Sequence, residues 1–497
     1  MLREAVELSP DVTAVIQEER RISYAEFGRA TNGLDELLRQ RGVAGGRVII
    51  MMPNSIEMDV ALMAAMSAGA QVAPVNPFFT PAELKKTLAS VDPAAVICDA
   101  GMLDKAREIS SAFGIAEPIC MAPDQVDIGV WSGDTGLDGT PSALPGPDDP
   151  ALLIFTGGST GIPKGVDHSH RGLVWSLLQH VSVWPLEPGK ERFLNVAPMF
   201  HIWGLGYSAW VPIFARGTLV MVSKYEPDKV VAGLHEHRIT VFAGGPAPIY
   251  MGLLASPVFD EADLSSLKYC LSGGAPCPED LHREWLERTG CPLLEGWGMS
   301  EGAPYCLNPY DDERRLLSVG NPVPETEVEV VDLDEGTTVL PAGEAGEVRV
   351  RGPQVMQRYF NNPEETAQAL RDGWLYTGDI GYVDGDFLYL VDRKKDMVLV
   401  GGFNVYPRDV DELLFNHPKI REAATVGKPD ARLGEVVGAF VVLDRGQQMD
   451  EDEFFAYCRD AMVKYKRPVE VHFVESLPKT GTNKINRLAL REQLRQK

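Results

Sequence analysis

The stretch ALLIFTGGSTGIPKGVDHSH, residues 151–170, ends an apolar run in hydroxyls, glycines and one lysine. Ala151 to Phe155 has the length and character of a strand covered on both faces. Beyond it the glycines, Gly161 among them, free backbone N–H groups to point into a common hollow, while Thr156, Ser159 and Thr160 add hydroxyl donors. Lys164 adds a positive charge. Such a concavity suits an oxyanion, phosphate above all. Glycine, serine and threonine are also common in ordinary surface loops, so the stretch alone is weak. A Walker-type nucleotide loop fails on spacing, because Lys164 follows Pro163 and precedes Gly165. Gly157-Gly158-Ser159-Thr160-Gly161 matches a serine-hydrolase elbow. That elbow needs a helix directly after the serine, where Pro163 sits badly, and no HGGG-type segment lies upstream.

Five further stretches share this chemistry: APMFHIWG (197–204), SGGAPC (272–277), EGWGMSE (295–301), LYTGDIG (375–381) and LPKTGTNKINR (477–487). In order and spacing, over nearly the whole chain, they and the opening loop resemble the acyl-adenylating superfamily. That superfamily includes acyl- and aryl-CoA ligases, peptide-synthetase adenylation domains and luciferases. The resemblance implies an α/β fold. A large N-terminal domain (1–392) would hold two mixed αβαβα-type sheets and a β-rich subdomain (about 325–392), followed by a small mobile α+β lid (393–497). It implies ATP and Mg2+ as cofactors, a carboxylic acid activated as acyl-AMP with release of pyrophosphate, and acyl transfer to a nucleophile. Carboxylate and phosphate are both anions, so charge neutralisation and positioning must supply most of the catalysis.

The resemblance assigns the β- and γ-phosphates to Thr156, Ser159, Thr160 and Gly161, with Lys164 nearby; Gly157 stands where the family has serine. Gly274, Ala275 and Pro276 would line the adenine, on which Trp297 packs, although Trp297 alone reads equally as a core aromatic. Gly298 and Ser300 continue that motif, Ser300 replacing a threonine with its hydroxyl kept. Glu301 takes the place of the carboxylate that binds Mg2+, an oxygen ligand suited to a hard cation. Asp379 would accept both ribose hydroxyls and Arg393 would contact ribose or phosphate; alone, Asp379 is an ordinary turn aspartate. Lys395 falls at the hinge. Lys484 matches the catalytic lysine that touches carboxylate, α-phosphate and bridging oxygen. Asn483 replaces the usual glycine before it and tolerates positive φ better than most residues.

Rotation about Lys395 would withdraw Lys484 and present Gly401, Gly402 and Phe403 to the acceptor, where missing side chains permit close approach. The acid pocket resembles that of aryl-CoA ligases, with His201, Trp203, Gly204, Tyr207, Ala243, Gly245, Gly273, Gly296, Pro304 and Tyr305. Trp203 and Tyr305 as flat apolar walls imply a compact acid, aryl, heteroaryl or alicyclic, and without lysine or arginine no second carboxylate is implied. His201 reads as a group that orients the acid or gates its entry, or as a paired core histidine. Coenzyme A as acceptor makes an acid–CoA ligase, a free amine makes an amide-bond synthetase, and a carrier-protein thiol is a third course. The resemblance admits a homodimer.

The elements that must position these residues are legible in outline. RVIIMMP, QVAPV and AAVICD alternate with helical YAEFGRATNGLDELLRQRG and PAELKKTLASV, the pattern of parallel sheets flanked by helices. The alternation resumes in RFLNVAP, TLVMVS and TVFAG, and from about residue 325 short alternating strands take over. The charged run Asp392 to Asp396 precedes a small α+β pattern with helices opening at Pro407 and Asp452. Lys+Arg of 47 against Asp+Glu of 71 leaves a net charge of −24, which argues against nucleic-acid or anionic-membrane partners. Seven cysteines with no C-x-x-C read as reduced thiols of a cytoplasmic protein. The N-terminus lacks a signal-peptide core, and Val60 to Val75 is too interrupted to span a membrane. His168 and His170 lack the surrounding ligands of a metal pair.

Overall fold

The computed structural model describes residues 1–122, 144–156, 163–275, 277–311, 313–479 and 485–495. The chain divides into two compact units, residues 1–327 with 351–375, and residues 328–350 with 376–497. The fold is α/β, as the alternation predicts. In the first unit the expected strands appear at Arg47–Met51, Gln71–Pro74 and Pro93–Asp99, parallel to one another and separated by helices Ile56–Ser67 and Pro81–Leu88. The helix Ile56–Ser67 is buried on all its faces, which accounts for its largely apolar sequence from Val60 on, although Glu57 and Asp59 in its first turn are buried too. Ser55 and Thr80 open these two helices by accepting the N–H of Met58 and Glu83.

These strands belong to a seven-stranded sheet that continues through Pro150–Thr156 and Lys164–Ser169. A nine-stranded sheet carries Arg192–Asn195, Thr218–Met221, Val241–Ala243, Tyr269–Gly273 and Leu293–Met299. Its apolar side packs Phe242, Tyr250, Leu253 and Trp285 into one cluster. Burial of each such side chain contributes roughly 1.5–3 kcal/mol.

In the second unit, residues 379–384 of the strand Trp374–Asp384 pair antiparallel with Phe387–Arg393 in a hairpin. A second sheet pairs Val398–Val400, Gly434–Leu443 and Ile420–Asp430 antiparallel, with Glu470–Phe473 parallel to Gly434–Leu443. Val398, Val437, Val441 and Phe454 fill its core. Arg487 on the last helix reaches the buried Asp411 at 2.7 Å and the Thr425 carbonyl at 2.6 Å. No described helix is long and apolar enough to cross a membrane.

Candidate active site

Pro150–Thr156 and Lys164–Ser169 run antiparallel with Thr156 opposite Lys164, so the ends of the glycine-rich loop are held side by side. Residues 157–162, with Ser159, Thr160 and Gly161, lie outside the described residues. A strand and not a helix follows the loop, which removes the elbow geometry a serine hydrolase needs. Lys164 Nζ pairs with Glu365 Oε2 at 2.6 Å and stands 5.0 Å from the Tyr359 ring centre. Tyr359 donates its phenol proton to Glu301 Oε1 at 2.6 Å in a buried contact. Burial first, and then the Glu301 charge, push the Tyr359 pKa upward, so the phenol remains a donor.

Glu301 occupies the turn between Leu293–Met299 and Gly302–Leu307, whose register sets Met299 opposite Gly302. Ser300 in the same turn accepts a hydrogen bond at its carbonyl from His168 Nε2, 2.7 Å away. His168 is therefore a structural pin. Among the described residues no group of three His, Cys, Asp or Glu side chains could hold a metal. Glu301 fits a hard cation that takes its other ligands from phosphate oxygens and water, which is how Mg2+ is usually held.

The parallel strands Arg192–Asn195, Val241–Ala243, Tyr269–Gly273 and Leu293–Met299 end at one edge of the nine-stranded sheet. Ligands of open α/β sheets bind outside such carboxyl ends. Gly273 and Gly296 lie side by side there, and the Gly245 N–H reaches the Leu271 carbonyl. Trp203 covers this edge: its Nε1 is 3.5 Å from the Ala243 carbonyl oxygen, and a Cβ on Gly273 would lie 2.7 Å from its ring. The indole thus packs directly on backbone, and Tyr207 follows at 4.8 Å. A Cβ on Gly204 would fall 2.1 Å from the Pro198 carbonyl oxygen, so the short helix Ile202–Leu205 can start beneath the folded-back 197–201 segment only with glycine there. His201 caps that helix, its Nδ1 3.4 Å from the Trp203 N–H. Tyr207 lies in the π-helical turn Gly206–Trp210, a form that recurs at functional sites.

Trp297 is buried and meets the Tyr305 ring at 5.1 Å and 64°. Pro304 follows a cis peptide bond, and Gly298 packs against Ala303. Gly274 turns the chain out of its strand at φ +78° and leads to Ala275; Pro276 lies outside the described residues.

In the second unit the hairpin register sets Asp379 directly opposite Arg393. Arg393 Nε lies 3.0 Å from Asp379 Oδ1. The Asp379 N–H donates to the Thr377 hydroxyl, which donates to the Val348 carbonyl, so the aspartate is fixed from behind. Lys395 follows in the turn; partial desolvation, then the Arg393 charge, lower its pKa. Arg491 donates to the Lys395 and Asp396 carbonyls at 2.8 and 2.9 Å. Gly401 and Gly402, at φ +59° and +88°, form the two-residue turn between Val398–Val400 and Phe403–Val405. This mirror-image turn matches strand twist and demands glycine or asparagine. Phe403 is exposed and stacks on Tyr465 at 4.6 Å. Lys484 lies outside the described residues, but Lys479 and Ile485, which flank it, are paired in an antiparallel bridge.

Some residues at these sites escape sequence reasoning. Asn54 fixes the 197–201 segment twice, donating to the Ala197 carbonyl and accepting from the Met199 N–H. Tyr359 and Glu365 meet Glu301 and Lys164 from the segment 351–375. One signal pointed there: Asn362 followed by Pro363 starts a helix, and the Asn362 side chain caps the Glu365 N–H.

A family model described as AMP-binding enzyme matches residues 2–360, and its companion, the AMP-binding enzyme C-terminal domain, matches residues 409–484. The long-chain-fatty-acid–CoA ligase of Bacillus subtilis is 34% identical over 97% of this chain and 92% of its own. Feruloyl-CoA synthase of Amycolatopsis sp is 36% identical over 96% and 95%. ATP-bound MatB from Rhodopseudomonas palustris superimposes with a TM-score of 0.91 at 32% identity, over 99% of this chain and 98% of its own. The amide bond synthetase McbA from Marinactinospora thermotolerans reaches a TM-score of 0.89 at 30% identity, over 99% of each chain. The order of the motifs, the glycine-rich loop between two paired strands and these matches together show that the chain belongs to the acyl-adenylating family of AMP-binding enzymes, ATP-dependent ligases that activate carboxylic acids.

Proposed function

We propose that this ligase converts a compact apolar acid, aryl, heteroaryl or alicyclic, to its acyl-AMP with Mg2+ as cofactor and transfers the acyl group to coenzyme A. The observation that carries the acid assignment is the Trp203 indole packed against Gly273 and close to Gly245, a rigid aromatic wall that suits a planar or compact group. The name of the feruloyl-CoA synthase relative supports an aromatic acid. Thr156 and Lys164, with Ser159, Thr160 and Gly161, hold the β- and γ-phosphates. Glu301 holds Mg2+, whose positive charge lowers the repulsion between the two anions. Trp297 with Gly274, Ala275 and Pro276 receives the adenine, and Asp379 with Arg393 the ribose. Lys484 neutralises charge as carboxylate oxygen attacks the α-phosphorus and pyrophosphate leaves. His201 orients the acid.

In the second step, turning about Lys395, between an N-terminal body (1–392) and a C-terminal lid (393–497), brings Gly401, Gly402 and Phe403 to the acceptor. The thiol sulfur attacks the acyl carbon, the thioester bond forms, AMP departs with the bond electrons, and the thiol proton passes to solvent. The enzyme works in the cytoplasm, in keeping with its seven free thiols. The McbA likeness favours one second reading, an amine in place of the thiol. A panel of acids in a pyrophosphate–ATP exchange assay tests adenylation, and mass spectrometry of products with coenzyme A, then with amines, decides the acceptor. No exchange with any acid would refute the proposal.

A further inference from the structure

His180 lies on the helix His170–Val183, 5% exposed, and neither ring nitrogen has a hydrogen-bond partner among the described residues. Its ring stands edge-on to Trp184, at 5.0 Å and 88°, and to Tyr207, at 5.2 Å and 69°. Both neighbours border the acid wall. Tyr207 packs at 4.8 Å on Trp203, and a Cβ on Gly296 would lie 3.2 Å from the Trp184 ring. Other buried histidines here are satisfied: His168 by the Ser300 carbonyl, and His282 by Glu295 at 3.2 Å. Gln179, next to His180, donates its amide to the Pro324 carbonyl at 2.7 Å. Buried polar side chains are nearly always paired, so an imidazole orphaned at both nitrogens beside a ligand wall calls for a partner on the ligand.

We infer that His180 reads the end of the acid remote from its carboxylate, and that the substrate carries a neutral hydrogen-bonding group there, a hydroxyl. This rests on the acid-activating reading of the site and narrows it, from an apolar acid to an apolar acid with one polar tip. A neutral imidazole offers one N–H donor and one acceptor nitrogen. Burial holds the His180 pKa down to about 3, so the ring is neutral at physiological pH. A hydroxyl can donate or accept and so matches whichever nitrogen faces it. A second carboxylate or an ammonium would be stripped of water against an uncharged ring, at high cost. Sites that hydrogen-bond a substrate group reject the analogue lacking it far more strongly than they reject a missing methylene.

The test uses matched aryl acids, each with and without one ring hydroxyl at the ortho, meta or para position, in the pyrophosphate exchange assay. For at least one position the wild type should favour the hydroxylated acid by about tenfold or more in kcat/KM. In His180→Leu that ratio should fall to about one, and His180→Asn or His180→Gln, which restore an amide donor and acceptor, should recover part of it. Thermal melting shows whether a variant is folded. Should His180→Leu fail to fold, His180→Phe, which keeps a flat ring between Trp184 and Tyr207, makes the same comparison. A wild type with no hydroxyl preference, or a preference that survives these apolar variants, overturns the inference. Failure of the acid-activating reading looks different: no acid of either kind would drive exchange in the wild type.

Discussion

In the proposed acid wall, a Cβ added at Gly204 would lie 2.1 Å from the Pro198 carbonyl oxygen, whereas one added at Gly402 in the proposed acceptor hairpin would meet nothing within 4 Å. Gly273 and Gly296 resemble Gly204: their Cβ atoms would come within 2.7 Å of Trp203 and Leu307. Gly402 instead sits at φ +88°, where an L side chain is strained even in open space. One region lacks side chains because neighbours already fill the volume. The other lacks them because the backbone must reverse. The wall around Trp203 is therefore a solid, with its aromatics and unpaired His180 already in place. The hairpin is a shape offered to solvent, with Phe403 at its foot 56% exposed. On the proposed reading, preorganisation suits the half that fixes an acid, and exposure suits the half that presents one group and then another.

The largest expected effect tests the presented side. Lys484→Ala should lower acid-dependent pyrophosphate exchange by about 10²–10³-fold, the range seen when one preorganised charge-stabilising group is lost. Transfer from a supplied acyl-adenylate should persist. Equal loss of both steps would mean that the C-terminal lysine and the Gly401-Gly402 turn do not work in alternation.

Next comes the packed side. Gly204→Ala forces a methyl into a carbonyl and should cost roughly 3 kcal/mol in denaturant unfolding, the upper part of the range for overpacking. A cost below about 1 kcal/mol would show that the 197–201 segment yields, and that the wall is not rigid.

Protonation distinguishes the wall further. His180 stays neutral in the fold with a pKa of about 3, whereas an unfolded chain binds that proton near pH 6.5. The unfolded state thus gains protons that the folded state refuses, and stability falls as pH drops from 6.5 toward 3. At pH 5 this amounts to about 2 kcal/mol. The difference in unfolding free energy between His180→Leu and wild type should therefore shift by about that amount in favour of the variant between pH 7.5 and pH 5. A shift near zero would place His180 in contact with water.

How much of this was legible in advance depends on how far apart in sequence the partners lie. The strand before the glycine-rich loop and the helix after Ser23 follow from local pattern, because capping and alternation act within a few residues; the Gly401-Gly402 hairpin is not read from the sequence. The resemblance supplied Glu301, but not what holds it. Tyr359 and Glu301 are 58 positions apart, Lys164 and Glu365 are 201, and Asn54 and Met199 are 145. Only sheet order brings these pairs together, and no single-sequence periodicity encodes it. His180 is hidden for another reason: within a helix a histidine reads the same whether it is paired or orphaned. The two kinds of glycine are equally silent, since the letter does not say whether space or φ requires it.

The Tyr359–Glu301 contact lies within the first unit, and it bears on the carboxylate proposed to hold Mg2+. Tyr359→Phe removes a 2.6 Å donor while keeping the ring that Lys164 overlies. Loss of an outer-shell hydrogen bond of this kind weakens metal binding about tenfold or more. The Mg2+ concentration for half-maximal exchange should rise about tenfold, with little change in thermal stability. An unchanged requirement would free Glu301 from the packed wall.

The smallest effect returns to the hairpin. Gly402→Ala should cost only about 1 kcal/mol, because the penalty is a left-handed backbone and not a collision. Gly401→Asn should be nearly neutral in stability, since asparagine is common at the first position of such turns. Both can be measured by denaturant unfolding of the whole protein. The sharper readout is kinetic: if the turn borders the acceptor, even this small cost should appear as a raised KM for coenzyme A, while the KM for the acid is unmoved. An acid KM that rises with it would mean that the hairpin and the wall are one surface, and the contrast between the two kinds of glycine would lose its functional meaning.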